Sequence, residues 1–279
     1  MFVDTHCHLN FKAFKDDADE TVRRALAAGV GMIIVGVENV TSKRALDIAN
    51  RYESGVYAAV GLHPIHLEKV EAKDEEYSFT TRGEEFNAEI YERLARMQKV
   101  VAIGETGLDY HHIDPTADLA AVKKKQLDAF SQQLVLAAKL SLPAIIHCRE
   151  AQDDMLAFLK TFRKEHRALL PADRPWGVMH CFTGDENLAW EYFSLGLAVS
   201  FTGLVTFDES WDLLLRKLPM DKFLVETDSP FMTPIPYRGK RNEPAYVVEV
   251  AKKIAKIKGL TVEKISEVST NNAKRIFKF

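Results

Sequence analysis

Eight short β-branched or apolar runs alternate with longer stretches of helical spacing, and nothing else in the chain limits its fold as tightly. The candidate strands are Phe2–Thr5, Met32–Val37, Val56–Val60, Val100–Ile103, Ala144–His147, Gly177–His180, Ala198–Ser200 and Phe223–Glu226. Between them, Asp16–Ala28, Ser42–Arg51, Glu85–Arg96, Asp118–Leu140, Asp153–Lys164, Glu186–Leu195 and Ser210–Leu218 read as helices, and Tyr246–Lys258 follows the last strand. Repeated strand–helix units require a parallel sheet, closed or doubly wound. The polar residues separate the two, because they cluster where the strands end. A ring of such residues from distant strands converges only if the sheet closes, as at the mouth of a barrel enzyme. The expected fold is therefore α/β, a single (β/α)8 TIM-like barrel with an additional C-terminal helix over Val262–Phe277, capped by Thr261. A length of 279 residues suits such a barrel, and no low-complexity tract, fixed repeat or linker divides it, so residues 1–279 are expected to form one domain.

The strand ends carry the chemistry. His6 and His8 are two apart, so their side chains share a face. His147 follows Ala144-Ile145-Ile146, His180 follows Val178-Met179, Glu105 lies two beyond Ile103, and Asp228 lies two beyond Glu226. Any one of these reads as a hydrogen-bonded rim residue. Together, four imidazoles and two carboxylates at one mouth read as a metal centre, since uncompensated buried polar groups are costly. Six ligands exceed the three that one catalytic zinc takes besides water. The expectation is thus two divalent ions (Zn, Mn or Mg), with Glu105 bridging, His6, His8 and Asp228 on one ion, and His147 and His180 on the other. Such a pair activates water to hydroxide near neutral pH, and Asp228 is the candidate to accept its proton. Glu226, on the same face as Asp228 and deeper in the strand, is expected to orient a ligand histidine.

Composition excludes some partners. The net charge of −3 gives no global cationic field for coating nucleic acid, although a nuclease can neutralise phosphates locally with its metals. No run of about eighteen apolar residues is present, so no membrane partner is expected. The start, Met1-Phe2-Val3-Asp4, lacks the basic and apolar regions of a secretory signal, which points to the cytoplasm. Cys7, Cys148 and Cys181 cannot all pair, and as neighbours of strand-end histidines they read as small buried residues turned to the helix layer. No heptad seam is present, so a monomer is expected. The Glu68–Gly83 segment reads as an acidic loop through Glu71, Asp74, Glu75 and Glu76 and is assigned no function.

Seven ordered motifs run from residue 3 to the closing Asn272-Ala273-x-Arg275-x-Phe277: Val3-Asp4-Thr5-His6-Cys7-His8, Gly61-Leu62-His63-Pro64, Gly104-Glu105-Thr106-Gly107-Leu108-Asp109-Tyr110, His147-Cys148-Arg149, His180-Cys181-Phe182-Thr183-Gly184, Glu226-Thr227-Asp228-Ser229-Pro230 and Arg241-Asn242-Glu243-Pro244. In these the chain resembles the TatD family of metal-dependent deoxyribonucleases, within the wider amidohydrolase-type barrels. The resemblance implies a divalent-metal site at His6, His8, Glu105, His147, His180 and Asp228 and hydrolysis of DNA phosphodiesters, commonly as a 3′→5′ exonuclease. It also implies that His63 and Arg149 lie near the substrate. Cys148 departs from the small hydroxyl residue frequent in the family, which touches packing more than ligation.

Around the metals, His63 reads as a contact to a phosphate or leaving-group oxygen, or as a rim histidine held by Pro64. Arg149, two past His147, points into the same mouth and suits bidentate phosphate recognition. Tyr110 is placed to stack on a base or to pack. Arg238, Lys240 and Arg241 form a basic patch just after Asp228, suited to guiding a phosphate backbone toward a DNA end or an oligonucleotide. Two rival functions remain: hydrolysis of another ester or an amide by the same dinuclear site, and a non-catalytic metal-binding accessory.

Overall fold

The structure is a computed structural model and describes residues 1–73 and 78–279. Eight parallel strands form the barrel: β1 (Phe2–Cys7), β2 (Val30–Val35), β3 (Val56–Val60), β6 (Val100–Asp109), β7 (Ala144–Arg149), β8 (Gly177–Met179), β9 (Leu197–Phe201) and β10 (Phe223–Val225). The ring closes where β1 meets the end of β10: Asp228 N donates to His6 O at 2.9 Å and His8 N to Ser229 O at 2.7 Å. Around it lie α1 (Ala18–Ala27), α2 (Asn39–Ala49), α3 (Ala88–Ala95), α4 (Leu119–Leu140), α5 (Gln152–Glu165), α6 (Glu186–Ser194), α7 (Asp212–Lys217), α8 (Val247–Lys258) and α9 (Val262–Phe277). The expected barrel and the added C-terminal helix are both present, and Thr261 caps α9 by accepting from Lys264 N.

Two expectations change. The segment read as an acidic loop contains a strand pair, β4 (Glu71–Lys73) with antiparallel β5 (Ser78–Thr80), while Asp74, Glu75 and Glu76 lie outside the described residues. And β6 does not stop at Ile103 but runs on to Asp109, so Glu105 stands within a strand rather than after it.

Alternation along the strands sorts side chains into two buried layers. Met32, Ile34, Ala58, Val60, Ile146 and Phe223 face the helices, against Val22, Leu46, Phe130, Leu159, Val250 and Ile254. Val3, Ile33, Val35, Ala59, Ala102, Ile145, Val178, Ala198 and Leu224 fill the interior, where α9 adds Ala273, Ile276 and Phe277. At about 25 cal/mol per Å² of apolar surface, each valine, leucine, isoleucine, methionine or phenylalanine among them contributes roughly 1.5–3 kcal/mol. Polar staples fix α9 over the N-terminal ends of the strands: Ser266 and Thr270 hydroxyls donate to Met1 O, and Asn272 Nδ2 donates to Met220 O and Phe223 O.

Two bulges set the phase on which the mouth depends. In β1 the register slips between Asp4 and Cys7, so Val3 and His6, three apart, both face inward while Cys7 joins the outer layer. In β6 the slip between Ile103 and Thr106 does the same for Glu105. From there Glu105, Gly107 and Asp109 share the inner face, with Gly107 opposite His147 and Asp109 opposite Arg149. Gly107 has φ +149°, and a Cβ there would sit 2.0 Å from His147 O, so only glycine allows β6 and β7 to meet at this level.

Candidate metal centre

The six residues expected as ligands come together at the C-terminal mouth of the barrel. They form two groups, and Glu105 belongs to both. Its Oε2 lies 3.3 Å from His6 Nε2 and 3.6 Å from His8 Nε2. Its Oε1 lies 3.0 Å from His147 Nδ1 and 2.8 Å from His180 Nε2. Asp228 Oδ1 completes the first group, 3.3 Å from His8 Nε2 and 3.7 Å from His6 Nε2. His6 and His180 stack with centroids 4.0 Å apart, which places the groups side by side.

The hydrogen bonds around the groups show that a cation fits them. His8 Nδ1 lies 2.9 Å from Val35 O; a carbonyl only accepts, so Nδ1 carries the hydrogen and Nε2 presents a lone pair. That lone pair faces His6 Nε2 at 3.1 Å and the Asp228 carboxylate. With His6 carrying its hydrogen on Nδ1 these atoms are all acceptors, and a divalent ion between them turns their repulsion into ligation. Among the described residues His6 Nδ1 is buried without a hydrogen-bond partner, which gives the same ring no competing use for its other nitrogen. On the second group, Asp109 Oδ2 accepts from His147 Nε2 at 3.0 Å, which turns Nδ1 toward Glu105. Glu226 Oε1 sits 3.5 Å from His180 Nδ1 and also accepts from Cys181 N at 2.7 Å. Carboxylates behind imidazoles in this way fix ring orientation and raise ligand basicity.

Electrostatics follow from this crowding. Burial alone would raise Glu105, but His180, His63 and His6, with a hydrogen bond from His147, hold it well below the usual carboxylate range. Burial would raise Asp228, and the surrounding His8, His6 and His180 lower it. Burial disfavours charge on His180 and His147 too, yet Glu105 and Glu226 raise the first, and Asp109 and Glu105 raise the second. Protons on these two rings therefore balance the carboxylates when no cation does, and cation binding displaces them. His6 moves the other way, lowered by burial and by His180.

Asp109 is the residue that the sequence reading passed over. It is 1% exposed, accepts from His112 N and His112 Nδ1 as well as from His147, and its own backbone is held in both directions by Gln126 of α4. The available signal was its i+4 spacing from Glu105, hidden because the glycines at 104 and 107 suggested a turn. Asp4 was passed over as well; it accepts from Thr227 N, Thr227 Oγ1 and His6 N, tying the two strand ends that carry His6 and Asp228.

The residues expected to meet substrate are more scattered. His63 joins the centre: its Nδ1 accepts from Ile65 N at 3.1 Å, so Nε2 is the donor, and it points to Glu105 Oε1 at 3.4 Å. Burial and the neighbouring His147 lower its pKa to about 4, which keeps it neutral. Arg149 is half-buried at the end of β7, in register with Asp109. Tyr110 gives its hydroxyl to Asp154 Oδ2 at 2.8 Å and has the Lys123 ammonium over its ring. Arg238 stacks on Phe207 at 4.1 Å. Arg241 is pinned to both oxygens of Asp17 and to Ala13 O, across the ring of Phe14, so it clamps the β10 loop to the β1 loop.

The chain is similar to known proteins over nearly its whole length. The family model described as TatD related DNase matches residues 3–278. An uncharacterised metal-dependent hydrolase of Bacillus subtilis, YabD, is 37% identical, covering 100% of this chain and 99% of its own. A 3′-5′ ssDNA/RNA exonuclease, TatD, of Klebsiella pneumoniae is 34% identical, covering 98% of this chain and 97% of its own. Among solved structures, YjjV of Escherichia coli, a TatD homologue, superposes with a TM-score of 0.80 at 29% identity, over 100% of this chain and 98% of its own.

Proposed function

We infer the reaction from kinship and site together: the chain belongs to the TatD related DNase family, and we propose that it hydrolyses phosphodiester bonds of nucleic acid, releasing nucleotides from 3′ ends of single strands. The observation that carries the proposal is Glu105, whose two oxygens face two separate imidazole groups as a bridging carboxylate must.

In this reading His6, His8 and Asp228 hold one divalent cation, His147 and His180 a second, and Glu105 both; the imidazoles favour Zn or Mn over Mg. When bound, the cations supply Lewis acidity to a phosphoryl oxygen and make water acidic enough to ionise near neutral pH. The chain supplies the rest. Asp228, held ionised at the mouth, takes the proton of the attacking water. His63, neutral and with its Nε2–H turned inward, donates to an oxygen of the phosphate or of the leaving group. Arg149 pairs the non-bridging oxygens and holds the diester in line. Asp109 and Glu226 keep His147 and His180 from turning away. Every residue named belongs to one chain, which supports a monomer as the working unit. The three unpaired cysteines favour a reducing compartment such as the cytoplasm.

Purified protein loaded with Mn²⁺ or Zn²⁺ is expected to release nucleotides from a single-stranded oligonucleotide, and EDTA to stop it. Glu105→Gln should lower kcat on the order of 10³-fold while circular dichroism stays unchanged. Faster turnover of lactones or carboxylic esters than of oligonucleotides would instead assign the same site to another ester class.

A further inference from the structure

We propose that Phe11 and Phe231 form a platform on which an unpaired nucleobase stacks beside the scissile phosphate, so that the site reads a base as well as a phosphodiester. The proposal rests on the nucleic-acid reading above and adds to it the two residues that recognise a single strand.

Both rings grow out of the segments that carry the first group of the metal centre. Phe11 comes three residues after His8 and Phe231 three after Asp228. One turn is used twice: Phe11 N donates to His8 O, and Phe231 N donates to Asp228 O, each at 3.0 Å. The Phe11 ring lies parallel to the His8 imidazole, 4.3 Å away at 11°. Phe231 stands across them, 6.3 Å from Phe11 at 71° and 6.4 Å from His8 at 67°. The result is an apolar corner beside the acids and imidazoles that would act on the phosphate.

Neither ring is placed as core. Phe14, three residues beyond Phe11, is fully buried beneath the Arg241 guanidinium, whereas Phe11 and Phe231 keep part of their surface in solvent. Exposed cations follow both rings in the chain, Lys12 and Lys15 after Phe11, Arg238 and Lys240 after Phe231. Aromatic faces together with cations are what a single strand requires, since every base offers a π face and every linkage a charge. A paired base has its faces covered by its neighbours in the stack, so a duplex end gains less from the corner than a frayed or single-stranded one.

The test separates stacking from cleavage. Binding is read by anisotropy on the metal-loaded protein with labelled oligonucleotides whose terminal linkages are phosphorothioates, carrying either a normal base or an abasic residue at one of the last two positions. Wild type should lose roughly tenfold in affinity for one of the abasic strands. Phe11→Leu and Phe231→Leu, which keep apolar bulk but lack a π face, should lose a similar factor on the normal strand and nothing more on that abasic one. Phe11→Tyr and Phe231→Tyr should restore it. Equal losses on normal and abasic strands would make the rings a wall supporting His8 and overturn the proposal, as would no loss on either. If wild type discriminates bases in binding yet hydrolyses no oligonucleotide with unmodified linkages, the reaction assignment fails and the stacking assignment stands.

Discussion

At the N-terminal end of the barrel the strands bring Val3, Val178 and Leu224 against Ile276 and Phe277 of α9, while at the C-terminal end the same strands bring His6, Glu105, His147 and His180 against one another. The first set gains from every contact it makes. The second set buries carboxylates and imidazoles together, each of them disfavoured in its charged form by burial, and Glu150, Cys181 and Asp228, each just past a strand end, hold φ near +50°. Such backbone costs a non-glycine residue roughly 1 kcal/mol or more. Stability is thus concentrated at one end of the axis, and the other end is free to hold groups in arrangements that only a ligand makes favourable.

If that division holds, changes at the sealed end should move stability and spare chemistry. Phe277→Ala removes a ring that is 2% exposed and should cost about 3–5 kcal/mol in urea unfolding, with kcat/KM unchanged well below the melting temperature. A parallel fall in kcat/KM would show that the two ends are mechanically coupled. At the open end, Asp109→Asn should weaken metal affinity by about 10–100-fold, because His147 loses the carboxylate that fixes its ring. A large loss of stability with metal affinity intact would make Asp109 part of the scaffold. The smallest effect sharpens the boundary, because the Asp17–Arg241 clamp sits at the mouth yet ties one loop to another. The hydrogen bond from Arg241 lowers the Asp17 pKa against burial, so its contribution is present above the ordinary aspartate value of about 4 and fades as pH falls through the lower folded value. With Asp17 about a third exposed, that contribution is under about 1 kcal/mol. The denaturation midpoints of wild type and Asp17→Asn should differ at pH 6 and converge toward pH 3; a gap constant with pH would point to packing instead.

The barrel was legible because its signal is long-range repetition, and local errors of one strand could not disturb it. All eight strand runs recur, with ends within two residues except at β6, which runs six residues further. The six clustered imidazoles and carboxylates were legible for a related reason: a histidine after an apolar run has few places to go but the mouth. What could not be read were events that break period. Gly104 and Gly107 inside β6 resemble a turn, which shortened the strand and hid Asp109. The bulge in β1 leaves no mark in composition, yet it decides which way His6 points. Side-chain pairing was equally closed to view: Arg241 reads as a loop cation suited to phosphate, and its partner Asp17 lies 224 residues away in the chain. The start of α2 was missed by three residues because Thr41, inside the helix, rather than a residue before it, receives the N–H groups of Val37 and Glu38.

The slip in β1 has a consequence for how this barrel can change. Between Asp4 and Cys7 the strand carries one residue more than its partner β2. Pairing evenly with every residue kept would improve the ladder, while rotating His6 out among the helices and drawing Cys7 into the mouth. A regular β1 of this length would thus be a better strand and a dead site, so this stretch can trade side chains but must keep its irregular pairing.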